Sequence, residues 1–474
     1  MNENSNLTAP ADRPAGKPSD KNQQNYVTAI DVGTTKIVAL VGKRNHEGKV
    51  QILGKGTCKT PMNTVKRGVV LNIKQASAMI KEAVTQAEQQ AGIKFTSSYV
   101  GIAGQHINSR KESHHKMVNS PDKVITRELI EELKSDLENL SLAPGHEIIH
   151  IIPQHYIIDK ETGVIDPYGM YGNKIVGNFN VIEGETESVK NIMKCIIKIN
   201  IEVKDLFLEP LASAAAVLTA EEKEAGVAMV DIGGGTTDVA IYYDGILRHT
   251  AVIPFGGDII TSDIQKGTKI LNKYAEKVKV KFGSAISDTT PDNKVISIPG
   301  INGREKKEIS VKVLSKIIQA RVEEIVNFVN YEILNSGVKD SLGAGIVITG
   351  GGSLLSQLKQ LITYKTGQDV KLAQPGQNLN TVHSNISSPK YSTAVGLLML
   401  GLREQYTDKI YREQRTPSAE KQEENTQEEI TEETKEVIKR KSGDMERGVG
   451  GYLKRIKHSL EFLLSENDSD INES

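Results

Sequence analysis

The chain has 474 residues, with 59 Lys and Arg against 60 Asp and Glu and a formal net charge of −1. No global field therefore draws it to nucleic acid or another polyanion, and the length implies more than one domain with an ample core. Its two cysteines, Cys58 and Cys195, show no metal-binding spacing and suit a reducing cytosol.

Residues 1–25 are polar, rich in Asn, Pro and Lys, and lack an apolar core. They read as a disordered leader rather than a signal peptide. Residues 28–41 follow as an apolar strand, then Asp31-Val32-Gly33, two threonines (Thr34 and Thr35), Lys36 and a second apolar strand. Lys36 is either a phosphate ligand or a solvated strand residue. A third strand over 50–53 and a helix over 73–91, closed by Gly92, come next. Residues 93 to 180 have a different texture. A strand-like run at 98–104, leucines and isoleucines at helical spacing from Leu129 to Leu140, and a strand at 147–159 predict a compact α+β insert. His114, His115, His146, His150 and His155 fit no zinc spacing and read as surface and strand positions.

From Glu187 a helix leads into a strand at 203–208, and Glu209-Pro210 opens a helix of small residues. A carboxylate at that helix start is favoured by the macrodipole alone. The stretch 227–245 is the strongest signal. Val227 to Val230 read as a buried strand ending at Asp231, and residues 239–243 restart a strand before an Asp244-Gly245 hairpin turn. Gly233, Gly234 and Gly235 are expected to supply positive φ and to leave no Cβ in a ligand's way. With Asp231, Thr236, Thr237 and Asp238 around them, the backbone N–H groups and hydroxyls would converge on a polyphosphate, and the carboxylate would hold a hydrated Mg²⁺. The hairpins near Asp31 and Asp231 share one grammar, about two hundred residues apart, which signals a duplicated domain facing itself across a cleft.

Residues 254–258 turn into a helix, and a further helix places Glu276 and Lys279 on one face, where a surface ion pair is one reading. A helix is predicted over 317–334. At 346–355 a strand runs into Gly350-Gly351-Gly352 and a helix opened by Ser353, a loop that lets backbone lie against a flat base or an α-phosphate. Residues 391–398 are a small-residue partner for the Glu209 helix. From 420 to 436 there are eight acids, two bases and one large apolar residue, Ile430, the composition of a charged linker. After the glycines at 448, 450 and 451, Val449, Tyr452, Leu453, Ile456, Leu460, Leu463 and Leu464 fall on one helical face. Arg447, Lys454, Arg455 and His458 lie opposite them. A short basic amphipathic helix on a polar tether reads as a membrane-surface anchor; the competing reading is a helix docked in a partner groove.

The paired hairpins, the Glu209 helix, the 350–352 glycines and the 391–398 segment stand in the order of the actin, sugar-kinase and heat-shock-chaperone ATPase superfamily, which residues 26–402 resemble. Within it, the segments 248–257, 261–264 and 321–325, the position of the insert and the terminal helix resemble the FtsA family of actin-like cell division proteins. The resemblance implies an α/β class: a duplicated actin-like (ribonuclease H-like) ATPase fold with an inserted α+β subdomain and a C-terminal amphipathic helix. It divides the chain into a leader (1–25), a first half (26–92 and 181–208) interrupted by the insert (93–180), and a second half (209–265 and 345–402) carrying its own nucleotide-side subdomain (266–344). A linker (403–446), the membrane helix (447–465) and a tail (466–474) complete it.

By the same resemblance ATP and Mg²⁺ are the cofactors. Gly33, Thr34, Thr35, Lys36, Gly234, Gly235, Thr236, Thr237, Glu276, Lys279, Gly351, Gly352 and Ser353 would bind the nucleotide, and Asp31 and Asp231 would hold Mg²⁺ through water. Glu209 would orient the attacking water, giving at most slow ATPase activity in a protein that is not primarily a metabolic enzyme. FtsZ, further copies of the chain in a head-to-tail polymer, anionic membrane lipids and other divisome proteins are the implied partners, with no nucleic acid. The implied place is the cytoplasmic side of the membrane at the septum. Alternatives are a small-molecule kinase of the superfamily, which would have no use for a membrane helix, and the pilus-assembly type of actin-like ATPase, which lacks one.

Overall fold

The computed structural model describes residues 26–46, 48–291, 293–300, 304–376, 379–380 and 386–415, with backbone alone at 380 and from 407. The first half opens with β1 (Val27–Val32), β2 (Lys36–Arg44) and β3 (Val50–Lys59). A short ladder of β4 (Val65–Lys66) with β5 (Val69–Val70), helix α1 (Ile73–Ala91) and β6 (Ser97–Ile102) follow. The insert contains β7 (Asn108–Met117), α2 (Arg127–Leu137), β8 (His146–Ile158), β9 (Glu161–Val164) and β10 (Lys174–Glu185). The chain returns through α3 (Thr186–Ile197) and β11 (Glu202–Leu208), then crosses by α4 (Glu209–Val217) and α5 (Ala220–Ala225). The second half holds β12 (Val227–Ile232), β13 (Thr237–Tyr243), β14 (Ile246–Ile253), α6 (Gly257–Thr268), α7 (Asn272–Phe282), the hairpin β15 (Val295–Ile298) and β16 (Lys307–Ser310), and α8 (Val311–Asn335). It ends with β17 (Ile346–Thr349), α9 (Leu358–Thr366) and β18 (Val370–Leu372), and the chain returns to the first half, against the expected boundary at 402, with β19 (Leu379–Asn380) and α10 (Ser392–Arg415).

The duplication inferred from two hairpins extends to whole sheets. The first runs β3-β2-β1-β6-β11, with β19 beside β3; the second runs β14-β13-β12-β17-β18. In each, an antiparallel meander is followed by two strands parallel to its first. Strands β1 and β12 are buried along their whole length, as central strands covered on both faces must be, which is why they read as continuous apolar runs. Each run carries a charge only near its carboxyl end, at Asp31 and Asp231. The insert has its own antiparallel sheet, β7-β10-β8-β9, and its own core, in which Tyr156 meets Phe179 edge-on at 6.1 Å.

Local signals proved accurate for α1, whose ends match the reading: Asn72 caps it by accepting from the Gln75 N–H, and Gly92 closes it in the left-handed region. Other boundaries differ. The insert does not begin at 93, because β6 lies in the first sheet between β1 and β11; the departure comes after Ile102. Strand β12 continues through Asp231 to Ile232, both paired with β13. Helix α8 starts at Val311, ahead of 317. Ser353 opens no α-helix: residues Gly352–Leu354 form a single 3-10 turn and α9 begins at Leu358. Helix α10 continues past 402 to Arg415, since no glycine or proline stands between Leu402 and Pro417 to stop it. Asp244 and Gly245 both take positive φ, as a two-residue hairpin requires. The leader, the acidic stretch and the segment expected to be a helix, with Tyr452, Leu453, Lys454, Arg455, Ile456, Leu460, Leu463 and Leu464, lie outside the described residues.

Candidate functional site

The site is built from two turns that are one turn made twice. Val32 pairs with Ile37 and Ile232 with Thr237, so Gly33–Lys36 and Gly233–Thr236 are four-residue links in the same register. Each is braced from its own half. Thr60 donates its hydroxyl to the Gly33 carbonyl at 2.9 Å, while the Gly257 and Asp258 amides at the start of α6 donate to the Gly233 and Gly234 carbonyls at 2.9 and 2.8 Å. Thr237 ties its hairpin to the Phe255 carbonyl at 2.8 Å.

The turns face each other at contact distance. A Cβ added at Gly234 would overlap the Thr35 methyl, and one at Gly235 would overlap the Thr34 hydroxyl and approach the Arg67 amide at 2.9 Å. None of Gly233, Gly234 and Gly235 adopts positive φ, so the sequence-based reason for them is corrected. Gly234 and Gly235 are glycine because the opposite turn leaves no room for a side chain, whereas a Cβ at Gly233 would meet the Thr236 carbonyl of its own turn at 3.2 Å. The glycine that needs its conformation is Gly350, at φ 86°, where a Cβ would run into the Asp231 carboxylate. Gly351 and Gly352 lie beside it. Gly352 packs on Ile232, Gly351 is comparatively open, and Ser353 donates to the Gly350 carbonyl at 2.7 Å.

Three buried carboxylates, Asp31, Asp231 and Asp238, and the half-buried Glu209 gather at this junction. Asp231 accepts from Ser213 of α4 at 2.6 Å and from Thr393 of α10 at 3.1 Å, so both crossing helices fix it. Asp238 keeps one oxygen without a hydrogen-bond partner among the described residues and accepts from Thr236 at 3.3 Å on the other. Burial raises Asp31 from 3.8 to about 6, with Lys36 pulling it down and Asp231 pushing it up. Burial also raises Asp231, against its two hydroxyl donors. Burial and the charges of Asp231 and Asp31 hold Asp238 well above the carboxylate range. Burial and the charges of Asp31, Asp238 and Asp231 do the same to Glu209. Such crowding is unfavourable for the protein alone and marks a place for positive charge.

Lys36 is the countercharge at hand, and it is not a solvated strand residue. Its ammonium donates to the Lys390 carbonyl and sits 3.9 Å from the Tyr391 ring centre; burial lowers its pKa to about 8 in spite of Asp31 and Asp231. Glu276 and Lys279 do form an ion pair, at 2.7 Å, and the lysine also donates to the Gly257 carbonyl and the Thr261 hydroxyl at 2.7 Å. The pair therefore clamps α7 to the start of α6, the same start whose amides brace the second turn. Among the described residues no hydrogen bond or ion pair joins it to Gly351 or Gly352.

The structure adds Ser213 and Thr393 to the residues foreseen and sets Asp238 and Gly350, both named in the sequence reading, against the other carboxylates. Asp238 was legible by laying one hairpin on the other, where it replaces Val38. The others depend on packing between segments far apart in the chain. Among the described residues no three His, Cys, Asp or Glu side chains are arranged to ligate a metal directly, and no helix is long and apolar enough to cross a membrane.

Residues 228–396 match the family model described as Cell division protein FtsA, and residues 104–183 match that described as SHS2 domain inserted in FTSA. The second match begins after β6, in agreement with the sheet. The Cell division protein FtsA of Pseudomonas aeruginosa is 37% identical over 379 residues, covering 80% of this chain and 90% of its own length. That of Escherichia coli (strain K12) is 34% identical over 385 residues, covering 80% and 90%. A chain of the PilM-PilN type IV pilus biogenesis complex superposes with a TM-score of 0.59 at 16% identity, over 79% of this chain and 98% of its own, which speaks to the actin-like fold alone. A duplicated ribonuclease H-like core, an insert of the matching kind and relatives similar over most of their length leave one assignment: the chain belongs to the FtsA family of actin-like cell division proteins.

Proposed function

We propose that the chain binds ATP with Mg²⁺ between its two facing turns and, as head-to-tail polymers, tethers the FtsZ ring to the cytoplasmic face of the membrane at the division septum. The observation that carries the nucleotide reading is the junction itself: two turns in the same register, with Asp31, Asp231 and Asp238 buried and Glu209 half-buried beside them. The partnerless oxygen of Asp238 and the raised carboxyls fit a hydrated divalent cation. The lack of a direct three-ligand set among the described residues suits Mg²⁺, which keeps several of its waters. Asp31 and Asp231 would hold it through those waters, and when bound it supplies charge neutralisation of the phosphates. The N–H groups and hydroxyls at Thr34, Thr35, Thr236 and Thr237 would line the phosphate path, and Lys36 would lend a positive charge. Glu209, at the first turn of α4, would orient a water; as the sole group in that role it favours slow turnover.

Titration of a fluorescent ATP analogue with and without Mg²⁺ tests this reading. Mg²⁺-dependent binding that Asp231→Asn weakens is expected; binding indifferent to both overturns it. The membrane reading rests on the sequence of 447–465. Each apolar residue on that face would contribute about 1–2 kcal/mol if well buried, and each base about 1 kcal/mol near anionic lipid. Much of this is offset by ordering the helix. One helix would then bind reversibly, and a polymer presenting several would bind firmly. Ile456→Glu is expected to release the protein from anionic vesicles while leaving ATP affinity unchanged, and undiminished co-sedimentation would favour the partner-groove reading.

A further inference from the structure

Among the described residues, strand β11 is the edge of the first sheet, paired with β6. Its last residue, Leu208, is fully buried, so its N–H needs an acceptor, since a buried donor without one forfeits its hydration for nothing. The acceptor comes from the insert. The His150 Nε2 on β8 takes the Leu208 N–H at 3.1 Å, across 58 residues of sequence. Ile149, Ile152 and Ile182, around His150, pack into the first-half core rather than the insert's own, so the ring is held where the two bodies are welded. Because Nε2 accepts, the ring proton sits on Nδ1, which has no hydrogen-bond partner among the described residues. Burial, with the Lys134 ammonium nearby, lowers the imidazole pKa to about 3 and keeps it a neutral acceptor at every physiological pH.

The next residue is Glu209. Leu208 is the N-cap position of α4 and offers no side-chain cap of its own. The Glu209 side chain lies against Gly101, where a Cβ would stand 3.2 Å from its Oε1. Fixing the Leu208 amide fixes where the strand stops and the helix starts, and thereby the carboxylate. We propose that His150 is a positioning residue that sets Glu209 through the Leu208 amide, so that the seating of the inserted subdomain controls water activation at the nucleotide site. This rests on the reading of Glu209 given above. A shift of the insert on the first half would withdraw the acceptor and loosen the carboxylate without touching any residue at the two turns.

The test compares His150→Phe, which keeps a flat ring without the acceptor, with His150→Gln, whose Oε1 can accept. Nucleotide affinity, single-turnover hydrolysis and deuterium exchange of the Leu208 amide are measured on the full chain. His150→Phe should bind ATP within about twofold of the parent yet hydrolyse it about 10- to 100-fold more slowly, with faster exchange at Leu208. His150→Gln should recover both. If His150→Phe does not fold, His150→Asn, too short to reach the amide, replaces it. Parent-like turnover in the Phe or Asn variant overturns the inference, as does a Gln variant that protects the amide but stays slow. A parent that binds ATP without measurable turnover overturns it too. Glu209→Gln separates the two readings. If it hydrolyses ATP like the parent, the site reading falls; if it is slow while His150→Phe is not, only the positioning role falls.

Discussion

The turn after β1 and the turn after β12 have the same length and register, yet their side chains are nearly opposite. Thr34 and Thr35 face Gly234 and Gly235, Lys36 stands where Thr236 does, and Val38 where Asp238 does. One turn is bulky and carries a cation; the other is bare and followed by a second carboxylate. The difference teaches that duplication alone does not make a cleft. Two copies of the first turn would collide, and two copies of the second would leave a gap lined with repelling acids. Complementarity in volume and in charge lets the halves close on each other.

Breaking the volume half of that relation should have the largest effect. Gly235→Thr puts the first turn's bulk on the second, against the Thr34 hydroxyl and the Arg67 amide. An overpacking cost of about 2 kcal/mol would weaken nucleotide affinity about 30-fold. Adding Thr34→Gly should regain part of that loss, measured by the same titration. A double variant no better than Gly235→Thr alone would mean that the glycine serves the ligand and not the opposing turn.

Breaking the charge half gives a smaller change with two signs. Asp238→Val makes the second hairpin resemble the first. It removes a buried carboxylate with one oxygen that lacks a partner among the described residues, so the free protein should be more stable by about 1 kcal/mol or more in thermal or denaturant unfolding. Mg²⁺-dependent affinity should fall about tenfold, because one acid in the crowded site is gone. A destabilised variant would show that Asp238 is already satisfied in the free protein.

Titration should sharpen the comparison by a few-fold. Asp31 is raised from 3.8 to about 6, so the fold favours its protonated form: that contribution is fully present below about pH 4 and is lost as pH rises through about 6. Lys36 is lowered from 10.5 to about 8, so the fold favours the neutral amine, a contribution present at high pH and lost as pH falls through about 8. Cation and phosphate need the opposite forms. Mg²⁺–nucleotide affinity should rise through pH 6 and decline above pH 8, while the free protein loses stability between pH 4 and 6. A flat affinity profile from pH 5 to 9 would place the ligand away from both groups.

Much of this molecule was readable from local patterns. The two central strands, the glycine turns, the Asp244-Gly245 hairpin and the whole of α1 with its caps depend on residues close in sequence, through periodicity, capping and turn chemistry. Family motifs extended that reading to the cleft. Misplacements arose where the deciding partner is remote. The Ser97–Ile102 run looked like the start of the insert, but its pairing with β1 and β11 puts it in the first sheet. The run after Gly352 looked like a helix start, but the backbone makes only one 3-10 turn before turning away to Leu358.

The amino-acid sequence by itself determined that two like hairpins exist, that each carries an aspartate near the end of its first strand, and that a polar, charged stretch and a basic segment of amphipathic pattern follow the core. Tertiary structure alone decided what those elements do to each other. It set threonine against glycine, brought Glu209 and Asp238 into the field of Asp31 and Asp231, and gave Gly350 its place under a carboxylate and His150 its hold on Leu208. The physical reason is range. Strand, helix and turn preferences are set within a few residues, whereas steric fit, burial and mutual charge depend on distances in space between segments that the chain holds 50 to 200 residues apart.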